Sequence, residues 1–437
     1  MKRQLLLKNL RSLAVRAGRK LPLIRRHHRY LNDLEFANKI FSQVERADFD
    51  LPSGVALLLR FGIDIRGLKQ VSTVPLLQVL SNREINTRQY ETLLVLVNNV
   101  AEDATNCRSW LALNRLLCLR GRYRLAGLCR EKARLLAIKP IFERRKNPPI
   151  SWENSVAAGI EGGEITSTQL LENLIYRIGC TTSGTRRWRQ LFYTLYGKSL
   201  SGPFSLPESH GYREFLEHKS VAIVGPAPTE NMDATEIDGR QAVIRMNYSA
   251  TLKCCDDLHK GKNTHASYFN GEQAGAIRCE QDGKLPRELE WACFKSSNAA
   301  LLFEQLNPEL RCRETYRFDG ECSFHGSYNM IPLVVLDLAL LGVSNAKIFH
   351  TDLMLTRARA KNYYPESFGR DDENAAKIFR ISSMVHDPVL QYRTLNRLWE
   401  RGKLDGDEAF SRVMEMGLNQ YLFELERAYA ESSHAKE

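Results

Sequence analysis

The sequence predicts an α/β fold: an all-helical domain followed by a domain with a doubly wound, mostly parallel sheet. Beyond residue 219, short apolar runs that end in Gly, Pro or Asn alternate with longer helical patterns. Between about residues 35 and 200, apolar residues recur at helical spacing instead. A chain of 437 residues is long enough for two or three domains with their own cores.

Composition divides the chain into four parts. We expect a basic amphipathic arm over residues 1–34 and a helical domain over 35–200. A Pro- and Gly-containing linker over 201–218 then leads into an α/β domain with C-terminal helices over 219–437. The hydrophobic fraction of 43% is that of an ordinary globular protein.

The positive charge is concentrated in the arm. Ten of the 62 Lys and Arg residues lie within residues 1–30, which contain no Asp or Glu, so the rest of the chain is close to neutral. A nucleic-acid partner is therefore not expected, because the body lacks a basic excess of its own. Leu6, Leu10 and Leu13 recur at helical steps between cations, which favours an amphipathic helix on an anionic membrane surface. A solvated tail and an organelle transit peptide stay open as alternatives.

The cysteine pattern predicts reduced thiols and no metal site. The ten cysteines form no C-x-x-C pair, and no Cys/His cluster has zinc-ligand spacing. No apolar run approaches the roughly 18 residues needed to span a bilayer, and the N-terminus lacks a secretory signal pattern. We expect a cytoplasmic protein that the arm can attach to the inner face of the membrane.

The stretch Ser109 to Pro140 predicts a helical hairpin broken at Gly121. The apolar faces of its two helices consist of Trp110, Leu113, Leu117, Ala126, Cys129, Ala133 and Leu136. The hairpin resembles a tetratricopeptide helix pair, but no second clear copy follows, and a stack needs at least three repeats. Packing support and binding of a protein partner stay open as its role.

The α/β part opens with strands whose ends carry the candidate ligand contacts. The predicted strands are Val221–Val224, Ala242–Met246, 265–269 and 299–303. Gly225, Asn247 and Asn270 directly follow the first three. Ligands of open α/β sheets bind beyond the carboxyl ends of the strands, so a nucleotide is expected at these residues.

A second stretch, Phe324 to Asp352, predicts a helix followed by a strand. We expect Gly326 and Ser327 to open a long apolar helix that Pro332 kinks or starts. The strand Lys347–His350 then ends near Asp352. A glycine and a hydroxyl group at a helix start suit a phosphate, because the free N–H groups and the helix dipole attract an anion.

Together, these stretches resemble the sialyltransferases. VAIVGPAP…VIRMN and HGSYNMIPLVVLDLALLGVSNAKIFHTD are similar to the long and short sialyl motifs of the animal-type family. They are also similar to the strand–glycine turn and the serine-glycine helix start of the bacterial family. The resemblance covers roughly Lys219 to Lys403 and implies a Rossmann-like glycosyltransferase domain.

The resemblance implies a general base, His386, and a set of residues that contact the nucleotide-sugar donor. The implied donor contacts are Gly225, Asn247, Asn270, His325, Gly326, Ser327, Asp352, Tyr363 and Tyr364. The two tyrosines fall where hydroxyl groups hold the leaving phosphate. No metal ligand and no cofactor besides the donor substrate is implied.

The chain departs from the family at three places. His325 replaces the usual serine, and the cysteine pair that links the two motifs of the animal enzymes is absent. In the animal H-x-x-x-x-E pattern, His386 is followed by Gln391 instead of glutamate. The absent cysteine pair agrees with a reduced compartment and a bacterial-type protein.

The predicted reaction is transfer of sialic acid, or a related nonulosonic acid or Kdo, from a CMP-activated donor to a glycan or lipid-linked glycan. A histidine suits deprotonation of the acceptor hydroxyl. Tyrosine hydroxyls and a helix N-terminus suit the single phosphate of the leaving group without a metal. A nicotinamide enzyme is disfavoured, because GPAPTE lacks G-x-G-x-x-G. A non-catalytic scaffold with a degenerate transferase domain remains the alternative.

Overall fold

A computed structural model describes most of the chain from residue 37 to residue 430. The described ranges are 37–41, 51–68, 70–81, 85–143, 151–178, 182–197, 210–228, 231–248, 257–316, 323–343, 345–357 and 372–430. The arm, most of the predicted linker and Tyr363 and Tyr364 lie outside them.

The described residues of the α/β part contain a seven-stranded sheet in which every strand pair is parallel. The strands are β1 (Val221–Val224), β2 (Ala242–Met246), β3 (Ala266–Phe269), β4 (Trp291–Phe294), β5 (Arg311–Glu314), β6 (Ala346–Phe349) and β7 (Asp405–Gly406). The bounds of β1 and β2 are those predicted, and both strands are buried along their whole length. Burial on both faces explains their unbroken apolar runs.

The strand order is β5-β4-β3-β2-β1-β6-β7. The chain therefore builds outward from β1 to β5 and then returns to the other side of β1 for β6 and β7. Val224 pairs with Phe349 at the ends of β1 and β6. The order reverses between these two strands, and open α/β sheets bind ligands at such a reversal, outside the carboxyl ends.

Helices connect the strands and continue the chain beyond β7. They are α9 (His210–Leu216), α10 (Ala234–Asp238), α11 (Asp257–Lys260), α12 (Gly271–Glu280), α13 (Ser297–Leu306), α14 (Met330–Leu340), α15 (Asp372–Ser383), α16 (Pro388–Glu400), α17 (Glu408–Glu415) and α18 (Gly417–Tyr429). Helix α9 lies within the predicted linker, and its Tyr212 packs edge-on against Trp291 of β4.

The predicted strand over residues 299–303 is wrong, because these residues form the middle of α13. Ala300 and Phe303 are buried, whereas Leu301 between them is 58% exposed. This is the three-residue period of a helix rather than the alternation of a strand. The strand at this place in the fold is β4, which starts eight residues earlier in the chain and whose run of Trp, Ala, Cys and Phe the sequence prediction missed.

The described residues before the sheet are helical. The helices are α1 (Leu51–Arg60), α2 (Gln70–Leu80), α3 (Thr87–Asn99), α4 (Cys107–Leu119), α5 (Tyr123–Glu143), α6 (Trp152–Gly162), α7 (Thr168–Ile178) and α8 (Thr182–Tyr196), with a 3-10 turn over Glu102–Ala104. The predicted hairpin is confirmed: α4 and α5 meet at Gly121, whose φ of 67° is in the left-handed region that glycine tolerates.

The N-terminal helices and the α/β part share one continuous apolar core. Across this boundary the Tyr123 hydroxyl lies 3.2 Å from the Ser383 hydroxyl, and Tyr90 donates to the carboxylate of Glu426 at 2.9 Å. Among the described residues, no helix is both long enough and apolar enough to cross a bilayer.

Candidate active site

Gly225 follows β1 and lies against the end of β6. A Cβ atom at this position would come within 2.1 Å of the Thr351 hydroxyl oxygen and 2.5 Å of the His350 carbonyl oxygen. Real Cβ atoms do not approach other atoms so closely, so only glycine fits. The glycine turn that the sequence predicted after β1 is therefore needed because the backbone after β6 lies so close to it.

The turn after β6 contains residues in an unusual backbone conformation. His350 has φ of 51°, and its N–H donates to the Asp407 carboxylate at 2.6 Å. Asp352 is 4% exposed, and its carboxylate accepts the N–H groups of Met354 and Thr356. Asp352, itself a predicted donor contact, thus uses its carboxylate to hold its own turn.

Lys260 is a buried cation at this crevice that the sequence prediction missed. It is 4% exposed, and its Nζ lies 3.3 Å from the carbonyl oxygen of Gly225. Arg245, at 6% exposure, donates to the carbonyl groups of Lys260 and Gly261 and fixes this segment under the sheet edge. The sequence signal was present in the Lys-Gly pair before β3, but nothing in the chain order connects that pair with β1.

Three side chains at the ends of different elements could together hold a cation. The ligand atoms of Asp233, His350 and Asp407 all lie within 4.8 Å of one another. The pKa of Asp233 is raised mainly by burial and secondly by the negative charge of Glu236. Burial also raises the pKa of Asp407. Burial and then Lys260 lower the pKa of His350 to about 4. Both oxygens of Asp407 already accept backbone N–H groups, and His350 Nε2 lies 2.9 Å from the His259 carbonyl oxygen.

Asn247 and Asn270 are brought together at the ends of β2 and β3. Asn247 is buried with φ of 55°, and its Oδ1 accepts the backbone N–H of Asn270 at 3.0 Å. Asn270 is the N-cap of α12, where its Oδ1 accepts the N–H of Gln273 at 2.7 Å. Since β1, β2 and β3 are parallel, both residues lie on the same sheet edge as Gly225, as predicted.

His386 contacts Ser327, on the segment that leads into α14. Its Nδ1 lies 3.2 Å from both the carbonyl and the hydroxyl oxygen of Ser327, and the Ser327 hydroxyl lies 3.4 Å from the Val385 carbonyl. A carbonyl oxygen can only accept, so the contact with it is a hydrogen bond in the tautomer that carries the proton on Nδ1 and the lone pair on Nε2. Ser327 thereby orients the ring of the predicted base.

Gln391 joins the same group, although the sequence marked it only as a departure. It is 3% exposed, its Nε2 donates to the Ser327 carbonyl at 2.9 Å, and its Oε1 accepts the N–H of Asn329 at 2.9 Å. Gln391, at the position where the animal pattern has glutamate, thus connects α16 by hydrogen bonds to the segment before α14. An amide can make both contacts because it has a donor and an acceptor, whereas a carboxylate has only acceptors.

The predicted helix start at Gly326 and Ser327 is wrong. Helix α14 begins at Met330, with Asn329 as N-cap and Pro332 in its first turn, where proline is tolerated. Gly326 has φ of 84°, and the N–H of Ser327 donates to the Val385 carbonyl at 2.7 Å. These two residues therefore do not present free helix N–H groups to a phosphate. They pack instead against the turn of His386: a Cβ at Gly326 would lie 2.8 Å from the Cβ of Asp387.

Helix α14 still points its N-terminus at the carboxyl edge of the sheet. Strand β5 ends at this edge and β6 begins at the opposite edge, so the helix between them runs from one to the other. Gly326 and Ser327, which precede it, therefore share the edge with Gly225, Asn247 and Asn270. His386 lies at the carboxyl edge too, because α16, which begins two residues later, also runs from this edge toward the start of β7 at the opposite edge.

His325 is buried inside the protein, at 6% exposure. Burial lowers its pKa well below the usual value, and the nearby cations of Arg115 and Arg130 lower it further. Its Nε2 has no hydrogen-bond partner among the described residues. A neutral imidazole in this position is suited to packing and to donating or accepting one hydrogen bond, and it is poorly suited to carrying a proton at neutral pH. Tyr363 and Tyr364, the remaining predicted contacts, lie outside the described residues.

Comparison with known proteins gives no relative: no protein-family model, no curated protein and no solved structure matches this chain. The function must therefore be argued from the residues and their geometry.

Proposed function

We propose that this protein is an inverting glycosyltransferase with a Rossmann-like catalytic domain. It transfers sialic acid, or a related nonulosonic acid or Kdo, from a CMP-activated donor to a glycan or lipid-linked glycan. His386 is its general base, and no metal takes part. In this proposal the helical region is an N-terminal domain that shares its apolar core with the catalytic domain and resembles a tetratricopeptide pair over α4 and α5.

The contact of His386 Nδ1 with the Ser327 carbonyl carries the proposal. It joins the stretch that resembles the short sialyl motif to the histidine that the resemblance implies as the base, and in the tautomer that makes this hydrogen bond the lone pair is on Nε2, the nitrogen that a general base uses. An imidazole that is half-buried and held by its other nitrogen needs no reorientation before it accepts a proton.

The nucleotide binds, in this proposal, at the crevice between β1 and β6. Gly225 allows close approach of backbone to the ligand. Asn247 follows the neighbouring strand β2, and Asn270 follows the next strand, β3. Lys260 supplies a buried positive charge near Gly225 for the phosphate of the leaving group. Tyr363 and Tyr364 are proposed to hold this phosphate as well, on the strength of the sequence alone.

A donor screen with purified protein tests the proposal. CMP-sialic acid and CMP-Kdo are supplied with and without EDTA, and release of CMP is measured. We expect CMP release from one donor and the same rate with EDTA. Loss of activity with EDTA would refute the metal-free mechanism and would point to Asp233, His350 and Asp407, where a cation could be held.

A non-catalytic scaffold is the second candidate, and one observation favours it. The segment from His325 to Ser327 is occupied with contacts inside the protein, so it does not offer a ready donor contact. A scaffold should neither bind CMP nor release it from either donor. Absence of both in the screen, with a folded protein, would favour this reading.

The arm is proposed to hold the enzyme at the cytoplasmic face of an anionic membrane, near lipid-linked acceptors. The ten cations of residues 1–30 support this, because each Lys or Arg near an anionic surface contributes about 1 kcal/mol. Deletion of residues 2–30 should abolish sedimentation with phosphatidylserine vesicles and leave activity on soluble acceptors unchanged. Sedimentation that survives the deletion would exclude the arm as the anchor.

A further inference from the structure

An arginine of the N-terminal helices is bound to the residue that follows His386. Arg130, in α5, is fully buried, and its Nε donates to Oδ2 of Asp387 at 2.5 Å. Its two terminal nitrogens donate to the two oxygens of Glu161, in α6, at 2.6 and 2.8 Å. One guanidinium therefore joins two helices of the N-terminal region to the turn that carries the proposed base.

Asp387 has little freedom to move within this arrangement. Its other oxygen, Oδ1, accepts the N–H groups of Val389 and Leu390 and so caps α16. Its Cβ leaves no room for a side chain at Gly326, since a Cβ there would lie 2.8 Å away. Burial raises the pKa of Asp387, and the guanidinium of Arg130 opposes that rise, so the carboxylate depends on Arg130 for its charge.

The turn that contains His386 and Asp387 is held from two sides. Asp387 is held by Arg130 from the helical side, and the neighbouring His386 is held by Ser327 from the sheet side. Phe324, on the segment with Ser327, also lies beneath the guanidinium, with its ring centre 5.5 Å from Cζ of Arg130. Arg130 thus touches both chain segments whose relative position sets the Nδ1–carbonyl contact.

We propose that Arg130 is a positioning residue for His386, and that α5 and α6 are a working part of the site rather than a detachable module. The proposal rests on the function proposed above for His386. Arg130 does not touch the reacting atoms. It fixes the turn of residues 385–387 so that the imidazole keeps its proton on Nδ1 and its lone pair on Nε2.

The test compares two arginines on the same helix. Arg130→Met removes the link to Asp387. Arg134→Met is the matched control, because Arg134 is 4% exposed and paired with Glu131 and Glu164 but makes no contact with Asp387. The primary measurement is the ¹⁵N resonances of the His386 ring in the protein without substrate, assigned by their loss in His386→Ala. They report which ring nitrogen carries the proton, and a purely structural role of Arg130 would not change them.

We expect the Nδ1-protonated form in the wild-type protein and in Arg134→Met, and a mixture with the Nε2-protonated form in Arg130→Met. With donor and acceptor, we expect kcat of Arg130→Met to fall by about 10- to 100-fold at unchanged KM for the donor, as for a misplaced catalytic group. Unchanged His386 resonances in folded Arg130→Met would overturn the proposal.

Arg130→Met removes the guanidinium that pairs with the buried carboxylates of Asp387 and Glu161, and it can fail to fold for that reason. Asp387→Asn then carries the test, because its amide oxygen can still cap α16 while the charge that holds Arg130 is gone. The same shift of the His386 tautomer is expected, and its absence overturns the proposal equally. The spectra need no substrate. If the wild-type protein releases no CMP, the proposed function fails. The ¹⁵N spectra still show in that case whether Arg130 controls the tautomer of the His386 ring.

Discussion

Ser327 and His386 are 59 positions apart in the chain, and Nδ1 of the histidine lies 3.2 Å from both oxygen atoms of the serine. The contact exists because α14 and α16 both begin at the carboxyl edge of the sheet, which brings the segments before them together. Gln391 completes the arrangement by donating to the same carbonyl group from the first turn of α16. The proposed base is therefore oriented by backbone that two helices hold in place.

Replacement of Gln391 by glutamate should damage this arrangement although it restores the animal-type pattern. A carboxylate would face the Ser327 and Asp387 carbonyl oxygens without a proton to donate. We expect Gln391→Glu to lower the free energy of unfolding by about 1–3 kcal/mol, the usual cost of a buried group left unsatisfied. Urea unfolding measures this loss.

Gln420→Glu is the matched control for Gln391→Glu. Gln420 is exposed on α18, and its partner Glu424 is one helical turn away. The new like-charge pair should cost no more than about 0.5 kcal/mol. Equal losses in the two variants would contradict the role given to Gln391.

Replacement of Gly225 by alanine should disturb the crevice between β1 and β6. The new Cβ would overlap the Thr351 hydroxyl and the His350 carbonyl oxygen, and backbone cannot rotate away as a side chain does. We expect Gly225→Ala to lower the free energy of unfolding by about 1–3 kcal/mol and to weaken CMP binding, which calorimetry measures.

The control for Gly225→Ala is Gly275→Ala. Gly275 lies within α12, and a Cβ there would meet no atom within 4 Å. Alanine is the better helix former, so this variant should be stabilised by up to about 1 kcal/mol. A Gly225→Ala protein as stable as the wild type would refute the packing argument.

The stability of the protein should fall in acid partly because of His350. Burial and Lys260 lower the pKa of this histidine to about 4 in the folded protein, from an ordinary value of 6.5. Between these pH values the unfolded chain binds a proton that the folded protein does not, so stability decreases as pH falls from about 6.5 to about 4. The full loss is roughly 3 kcal/mol.

His350→Asn should flatten the dependence of the unfolding free energy on pH in this window, because asparagine does not titrate and tolerates the left-handed backbone of this residue. His218→Asn is the control. His218 also has a positive φ, of 60°, but its side chain is 92% exposed. An identical pH dependence in His350→Asn and the wild type would contradict the shifted pKa.

Much of the fold was predictable from the sequence because buried parallel strands and helical hairpins leave strong local patterns. The strands at Val221 and Ala242 and the glycine break at Gly121 are examples. Strand β4 and helix α13 were misread because a short apolar run has too few residues to distinguish a period of two from one of 3.6.

The candidate site was predictable only in part. Positions that follow strands could be assigned to one edge, since parallel strands share their direction. The contacts of Gln391, Lys260 and Arg130 could not be predicted, because each joins segments whose approach depends on how helices pack over the sheet. The start of α14 was misplaced by four residues, since the glycine and serine that indicated a cap are used in a turn against Val385.

The central claim is that His386 removes the proton of the acceptor hydroxyl. The most direct measurement is the turnover of His386→Ala beside that of His325→Ala, with CMP affinity measured for both and for the wild type. We expect His386→Ala to lose about 10²- to 10⁴-fold in kcat with CMP affinity unchanged, because a positioned base acts on the acceptor and does not touch the nucleotide. Near-normal turnover in His386→Ala together with loss of turnover in His325→Ala would contradict the account and assign the base to His325.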